Sequence, residues 1–336
     1  MSEADKVEES VQVPTVLCVP TFRQGPDVVI AHNGTLPFLQ SVPNETARLI
    51  VSSPPYNIGK PYERRTELEE YLEWQTTVLE ECVRILKPDG SLCWEVGNHI
   101  DSREVFPLDI FFYQILREQL GLKLRNRIIW YFEHGLHARK RFSGRYEVIL
   151  WFTKNDSYVF NLDPIRVPQK YPGKRYYKGP KRGEISGNPL GKNPGDIWQL
   201  LATEWEDEIW DIPNVKWNHP EKTIHPSQFP IELIERLVLA LTHPGDLVLD
   251  PFVGVGSSLL AAVVHGRRAA GVDNNETYIN IARERVRAFY TGTLRRRPLG
   301  KRKYQPSGNE RVAQRPREWD AENVGQHPHV SGDDHI

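Results

Sequence analysis

Hydrophobic positions along the chain form short continuous runs that alternate with stretches of helical spacing. The short runs, rich in β-branched and other apolar residues, predict buried strands at 28–31, 48–52, 91–96, 127–132, 147–153, 247–249 and 269–272. Apolar residues spaced three, four or seven apart predict helices at 67–86, 107–120, 230–242, 258–265 and 276–290. This alternation predicts an α/β fold with a doubly wound, mostly parallel sheet and helices on both faces.

The regular pattern stops at three places along the chain. The first 27 residues lack it, glycine, proline, lysine, arginine and tyrosine dominate the middle of the chain, and the tail is polar and basic. We therefore expect a mobile N-terminal arm at 1–27, the two halves of the α/β domain at 28–154 and 218–292, a loop-rich insertion at 155–217 and a basic disordered tail at 293–336.

Composition argues against several protein classes. No apolar run approaches the roughly 18–20 residues of a membrane span, and the acidic N-terminus lacks the hydrophobic region of a signal peptide. Cys18, Cys82 and Cys93 are too few for a disulfide framework or a CxxC zinc site. We expect reduced thiols, two of them in the core, in a cytoplasmic protein that uses no metal.

The net charge is only −1, but the charges are segregated. Residues 166–192 hold eight Lys or Arg and one acid, residues 295–317 hold nine and one, and residues 204–211 hold five acids. This distribution favours a polyanionic partner, and two solvated basic loops are the alternative on charge alone.

A candidate ligand-binding turn occupies Leu247–Leu259, LVLDPFVGVGSSL. Its glycines allow a sharp turn and close approach of a ligand, at the strand end where doubly wound folds bind ligands. Asp273 ends the next predicted strand, at a spacing that suits hydrogen bonds from ribose hydroxyls. Leu259 replaces a third glycine and no GK[ST] follows, which favours an adenosyl ligand without pyrophosphate over a dinucleotide. An ordinary βα turn is the alternative.

Ser53-Pro54-Pro55-Tyr56 directly follows the predicted strand 48–52. The prolines fix the backbone of this turn and remove two donors, which leaves their carbonyl groups as acceptors. With a serine oxygen before them and an aromatic ring after them, the turn suits a planar group that carries an NH₂. A packed proline turn is the alternative from these residues alone.

SPPYN at 53–57 followed later by DPFVGVG at 250–256 resembles the beta class of DNA amino-methyltransferases, in which the catalytic motif precedes the cofactor motif. KTIHPSQFP at 222–230 and the strands at 127–130 and 141–152 add to the resemblance, which covers residues 28–290. It implies a Rossmann-like methyltransferase fold with circularly permuted motif order and a target-recognition insertion. It also implies methyl transfer from S-adenosyl-L-methionine to an exocyclic amine of cytosine or adenine.

The resemblance also assigns roles to individual residues. Tyr56 stacks on a flipped base, while Ser53 and the carbonyl of Pro54, in the turn that Pro55 completes, accept hydrogen bonds from its amine. Cofactor contacts are expected from Asp250, Phe252, Gly254, Gly256, Asp273, His225 and Asn33, the last of which stands where the family often carries an acid. In the insertion, contacts to DNA are expected from Lys170, Lys174, Arg175, Lys178, Lys181 and Arg182. We expect the interleaved Tyr171, Tyr176 and Tyr177 to pack within the insertion.

The motif also restricts which atom is methylated. Methylation of cytosine C5 needs a Pro-Cys dipeptide, which the sequence lacks. Serine before PPY accompanies N4 methylation in this family, so we predict a site-specific N4-cytosine methyltransferase of double-stranded DNA. Its cognate restriction endonuclease would be a functional rather than a physical partner. The alternatives are N6-adenine methylation, an RNA amino-methyltransferase and a catalytically idle DNA-binding protein.

Overall fold

The computed structural model describes residues 15–59, 63, 65–102, 104–132, 137–169, 171–198, 215–216 and 219–300. Lys170, the acidic stretch 204–211 and residues 301–336 of the predicted tail lie outside the described residues. Within the described part, no helix is long and apolar enough to span a membrane.

Strands and helices alternate along the described chain. The strands are β1 (Val16–Cys18), β2 (Val28–His32), β3 (Ala47–Ser52), β4 (Leu86–Val96), β5 (Asn98–Asp101), β6 (Glu104–Pro107), β7 (Lys123–Tyr131), β8 (Tyr146–Thr153), β9 (Ile197–Trp198), β10 (Leu247–Asp250) and β11 (Arg268–Asp273). The helices are α1 (Thr35–Gln40), α2 (Leu68–Ile85), α3 (Leu108–Gln114), α4 (Ile231–Leu241), α5 (Ser257–Val264) and α6 (Glu276–Tyr290). Strands β5 and β6 form a separate hairpin, and the others form one sheet in the order β1-β2-β11-β10-β3-β4-β8-β7-β9.

Most strand pairs in this sheet are parallel, which confirms the predicted fold class. Only β8 runs against its neighbours β4 and β7 among the described pairs. The connection after β10 leads to β11 on one side, and the connection after β3 leads to β4 on the other. The sheet therefore reverses its winding between β10 and β3, and the carboxyl ends of these strands are where such sheets bind ligands.

The sheet is buried on both faces because successive side chains of its strands enter two different cores. Leu49 and Val51 of β3 pack with the apolar sides of α4 and α5. Ile50 of the same strand packs in the second core, which includes buried residues of α2 and α3. Cys82 and Cys93 are buried and Cys18 is exposed, as the prediction of two core thiols requires.

Two boundaries differ from the sequence prediction. The Lys87–Gly90 segment does not separate a helix from a later strand, because α2 already ends at Ile85 and β4 begins at Leu86. The helix predicted at 107–120 is α3 followed by a π-helical turn at Ile115–Gln119. Its apolar spacing suits either helix type, so the pattern alone does not reveal the change.

The ends of the domain extend beyond the predicted limits. Part of the predicted arm is strand β1, whose residues pair in parallel with Val28–Ile30. The predicted tail begins inside the fold, since Arg297 is only 6% exposed and forms an ion pair with Glu232. Glu232 lies on α4, far from Arg297 along the chain, so local composition does not reveal this ion pair.

The start of α5 provides a test of this packing. Gly256 has a left-handed φ of 81°, and a Cβ there would lie 2.9 Å from Cβ of Ala282. Gly266 has a φ of 70° with open space around it. We expect Gly266→Ala to lower the free energy of unfolding by about 1–2 kcal/mol through backbone strain alone.

Gly256→Ala should lower the free energy of unfolding by about 1–3 kcal/mol more than Gly266→Ala, because it adds a steric conflict between α5 and α6. Urea unfolding of both variants measures the difference. Equal losses would show that the contact with Ala282 is not tight.

Candidate active site

A cavity of about 300 Å³ opens at the carboxyl ends of β3 and β10. Its lining comes from segments that follow β2, β3, β10 and β11, from the segment before α4, and from Trp74 of α2 and Tyr278 of α6: residues 34–37, 53–56, 225, 227–229, 252–255, 257 and 273–274. The SPPY turn and the glycine turn therefore face the same space, as their positions after neighbouring strands predict.

Asp250 connects the end of β3, where the SPPY turn begins, to the glycine turn through hydrogen bonds. Its carboxylate is fully buried and accepts hydrogen bonds from the hydroxyl groups of Ser52 and Ser258 and from the backbone N–H of Phe252. Burial raises the pKa of Asp250 to about 6. The side chain does not line the cavity, so the structure does not bring this predicted cofactor-binding residue to the ligand space.

The glycine turn presents its backbone and one carboxylate to the cavity. The N–H of Gly254 donates to Oδ2 of Asp273 at 3.1 Å, and the N–H of Asn275 donates to Oδ1 at 2.8 Å. These bonds orient an acceptor at the cavity wall, while burial raises the pKa of Asp273. Gly256 lies off the lining, and its missing side chain serves the packing of α5 against Ala282.

Aromatic rings form much of the remaining wall. Phe252 lies 5.6 Å from Trp74 and 6.1 Å from Trp94, measured between ring centroids. The ring of Tyr278 meets His225 edge-on at 4.6 Å. Trp74 is a lining residue that the sequence analysis missed, because the helical pattern of α2 marks only its buried face.

His225 is held as a neutral ring. Burial first, and then the charge of Lys222, lower its pKa to about 4. Its Nδ1 accepts the backbone N–H of Ser227 at 3.2 Å, so the neutral ring carries its hydrogen on Nε2. His225, a predicted cofactor contact, lines the cavity beside Gly254.

Asn33 is not brought to the cavity lining. Its amide nitrogen donates to the carbonyl of Pro20 at 2.9 Å, and its amide oxygen accepts the N–H of Gly34 at 2.8 Å. Gly34 and Thr35 form this part of the lining instead.

A hydrogen-bond chain links the SPPY turn to a buried acid. The hydroxyl oxygens of Ser53 and Tyr56 are 2.9 Å apart, and the Tyr56 hydroxyl donates to Oε2 of Glu95 at 2.8 Å. Because the hydroxyl hydrogen of Tyr56 is used on Glu95, Ser53 is the donor in its own bonds, which reach the oxygen of Tyr56 and the carboxylate of Glu95. Both lone pairs of the Ser53 oxygen then remain as acceptors.

Glu95 was not predicted as a site residue, although a single acid inside the apolar run LCWEV is a usable signal. It is buried at the end of β4. Burial of the group raises the pKa of Glu95, whereas its hydrogen bonds oppose that rise.

The two proline carbonyls of the turn differ. The oxygen of Pro55 accepts the hydroxyl of Tyr71 at 2.6 Å. No donor within the described residues bonds to the oxygen of Pro54. Asn57, at a φ of 57°, fixes the end of the turn by bonding the backbone of Thr66 at 2.8 Å through both side-chain atoms. The turn therefore offers Ser53 and Pro54 as rigidly placed acceptors.

The five predicted DNA-contacting cations that the structure describes lie on an exposed hairpin. The backbone joins Arg175 to Ile185, and the side chains of Lys174, Arg175, Lys178, Lys181 and Arg182 are exposed. The expectation that the neighbouring tyrosines pack inward is wrong. Tyr171, Tyr176 and Tyr177 are exposed, and Lys178 lies 5.9 Å from the ring centre of Tyr177. A hairpin of this size has no interior to receive them.

Comparisons with known proteins agree with this geometry. A family model described as DNA methylase matches residues 47–284. The type II methyltransferase M.BglII of Bacillus subtilis is 51% identical over 253 residues, which cover 75% of this chain and 67% of the relative. The DNA adenine methyltransferase YhdJ of Escherichia coli K12 is 32% identical, with 80% of this chain and 86% of the relative covered.

A solved structure of a Thermus thermophilus protein complexed with S-adenosyl-L-methionine matches with a TM-score of 0.53 and 28% identity, over 82% of this chain and 99% of that chain. The motif order and the sheet topology agree with the family match. The chain belongs to the DNA methylase family and is a DNA methyltransferase whose cofactor is S-adenosyl-L-methionine.

Proposed function

We propose that the protein methylates the exocyclic N4 amine of cytosine at a specific site in double-stranded DNA. The observation that carries this proposal is the position of the Ser53 oxygen, which belongs to a residue of the cavity lining and lies 2.9 Å from a Tyr56 hydroxyl that donates to Glu95. Because the Tyr56 hydrogen is used on Glu95, Ser53 is the donor of this pair and its oxygen remains an acceptor. With the Pro54 carbonyl, it supplies two neutral acceptors for the two hydrogens of an amine.

The cavity residues fit the cofactor. Asp273 presents an oriented carboxylate for ribose hydroxyls, Phe252 and Tyr278 present apolar rings, and Gly254 leaves the backbone open to close approach. His225 stays neutral near pH 7 and so does not repel a sulfonium charge. When bound, S-adenosyl-L-methionine supplies an electrophilic methyl group.

The acceptors of the SPPY turn then act on the target base. A cytosine amine inside a duplex cannot reach this cavity, so the base must flip out of the stack. Tyr56, whose ring lines the cavity while its hydroxyl is fixed, offers a stacking surface. Ser53 and Pro54 hold the amine hydrogens, which directs the nitrogen lone pair away from the ring and fixes the geometry of attack.

N6-adenine methylation is the second candidate, because a relative that is 32% identical is named as an adenine methyltransferase. The N4 assignment rests on serine at position 53. The type II name of M.BglII supports a modification enzyme that protects DNA from a cognate restriction endonuclease. An idle binding protein would leave the acceptors without a use. An RNA amine would use them equally, and it is the DNA methylase family match that supports a DNA substrate.

The product test decides between the two bases. DNA from cells that express the protein is digested to nucleosides and analysed by mass spectrometry. We expect N4-methylcytosine, and Ser53→Ala should lower its formation by about 10- to 100-fold, through loss of one transition-state hydrogen bond. N6-methyladenine would contradict the N4 assignment, and no methylated base with a folded, cofactor-bound protein would contradict DNA methylation.

Asp273 tests the cofactor assignment. We expect Asp273→Asn to weaken S-adenosyl-L-methionine binding by about 10- to 100-fold, because a charged acceptor is replaced by a neutral amide. Glu276→Gln is the matched control, since it removes the same charge from an exposed position at the start of α6. Calorimetric titration measures both, and equal effects would show that Asp273 acts only through general charge.

The exposed hairpin tests the DNA assignment. Replacing Lys178, Lys181 and Arg182 by glutamine should reduce the slope of log K against log salt by about 2–3, because each phosphate contact contributes about 0.9. Glutamine at the exposed Arg117, Arg283 and Arg287 provides a control with the same change in net charge. An unchanged slope in the hairpin variant would remove this surface from the DNA interface.

A further inference from the structure

The loop between β7 and β8, residues 132–145, stands at the same edge of the sheet as the cavity. Strand β7 runs antiparallel to β8, and β8 runs antiparallel to β4, so β7 is parallel to β4. Since β4 is parallel to β3, and β3 to β10, the carboxyl ends of all four strands share one edge. The β7–β8 loop therefore follows a strand end at the edge where the cavity opens.

The loop also returns to the sheet close to Tyr56. A Cβ added at Gly97 would lie 3.0 Å from the ring of Tyr56 and 3.5 Å from Cγ of Glu147, the second residue of β8. Phe142, at the end of the loop tip, precedes Tyr146 at the start of β8 by four residues, a span of at most about 14 Å. The tip is therefore near the part of the cavity that Tyr56 lines.

The described part of the loop is strongly basic. Residues 137–145 contain Arg139, Lys140, Arg141 and Arg145 and no acid. The side chains of the first three are exposed, and no carboxylate of the described residues forms an ion pair with them. Such a surface attracts phosphates, and the polyanion that a DNA methyltransferase brings to its cavity is DNA.

A large apolar side chain stands beside these cations. Phe142 is 99% exposed, the largest value for any large apolar side chain in the described part of the chain. The loop around it is closed by backbone donors: the N–H of Ala138 bonds Oγ of Ser143 at 3.1 Å, and the N–H of Phe132 bonds the carbonyl of Arg145 at 2.8 Å. The phenyl ring therefore contributes nothing to the core and is presented to solvent by a braced loop.

A duplex with a flipped base offers a place for this ring. The departed base leaves a gap between its former neighbours in the stack, and an apolar side chain inserted between base steps fills such a gap. We propose that Phe142 inserts where the target base has left the duplex, while Arg139, Lys140 and Arg141 contact the adjacent phosphates. This inference rests on the base flipping of the proposed function. Phe142 contacts the neighbours of the target base and not the reacting atoms, so it is a positioning residue that stabilises the flipped state.

Duplexes with a paired and a mispaired target base test the insertion. The site is first mapped in DNA from cells that express the protein, and single-turnover methyl transfer is then measured at saturating protein. We expect Phe142→Ala to lower the rate about 10- to 100-fold on the paired duplex, since loss of the stacked ring leaves fewer bases flipped. On the mispaired duplex the rate should stay within about threefold, because a mispaired base flips at low cost and flipping no longer limits the rate.

Phe142→Leu and Tyr290→Ala are the controls. Leucine keeps an apolar side chain that can insert between base steps, so the paired duplex should lose at most about fivefold in rate. Tyr290 is an exposed aromatic residue at the end of α6, about 18 Å along the helix from Tyr278 of the cavity, and its removal should change neither rate. Urea unfolding and cofactor affinity should be unchanged in all three variants.

Two results would overturn the insertion. Equal losses of rate for Phe142→Ala on the paired and the mispaired duplex would show that the ring acts on the chemical step or on the structure of the protein. Unchanged rates on both duplexes would show that the ring faces a different partner, such as another protein.

Glutamine at Arg139, Lys140 and Arg141 tests the phosphate contacts. On a random-sequence duplex, we expect the slope of log K against log salt to fall by about 2–3, because each phosphate contact contributes about 0.9. Glutamine at the exposed Arg117, Arg283 and Arg287 makes the same change in net charge and should leave the slope as it is. An unchanged slope in the loop variant would contradict the proposed contacts.

Failure of the proposed function gives a different set of results. The salt titration needs no methylated product, so an unchanged slope overturns the loop assignment alone. An N6-adenine product revises the methylated base, and the paired and mispaired duplexes are then built on that adenine. No methylated base from a folded, cofactor-bound protein overturns the proposed function, and the insertion of Phe142 with it.

Discussion

The buried carboxylate of Asp250 is the constraint on which the site depends. It stands at the end of β10 and binds Ser52 at the end of β3, Ser258 in α5 and the backbone of the glycine turn. These bonds cross the line where the sheet reverses its winding, where no helix connects the two strands. Together with the backbone pairing of β10 and β3, Asp250 therefore fixes the distance between the glycine turn and the SPPY turn.

Ser52 and Ser53, two successive residues at the end of β3, have different hydrogen-bond partners. Ser52 points toward β10 and bonds Asp250, while Ser53, the next residue, bonds Tyr56 and through it Glu95 on β4. Successive side chains of a strand point to opposite sides, so one residue can hold the sheet and the next can act on the substrate. Both serines are hydrogen-bonded to a buried acid, Ser52 directly to Asp250 and Ser53 through Tyr56 to Glu95. These bonds orient the polar groups inside a core that is otherwise apolar.

The sequence was sufficient for the long strands and helices and for the two turns, because both depend on local patterns. It did not predict the short elements β1, α1, β5, β6 and β9. Periodicity located α6 at its observed limits, and the motifs follow strands that meet at one edge. It was not sufficient for side-chain direction. Asp250 directly follows the predicted strand 247–249, but the direction of its side chain toward Ser52 and Ser258 depends on contacts between β3, β10 and α5. The role of Glu95 likewise depends on its contact with Tyr56, which is distant along the chain, and the burial of Arg297 depends on Glu232 of α4.

We propose that the cofactor binds between β10 and β3, next to Ser53. Amide hydrogen exchange with and without S-adenosyl-L-methionine shows where it binds. We expect slower exchange at the amides of residues 34–36, 253–257 and 273–275 and no change in the hairpin that carries Lys178. Protection around Trp151 and Trp198, which line a separate cavity, without protection of the glycine turn would contradict it.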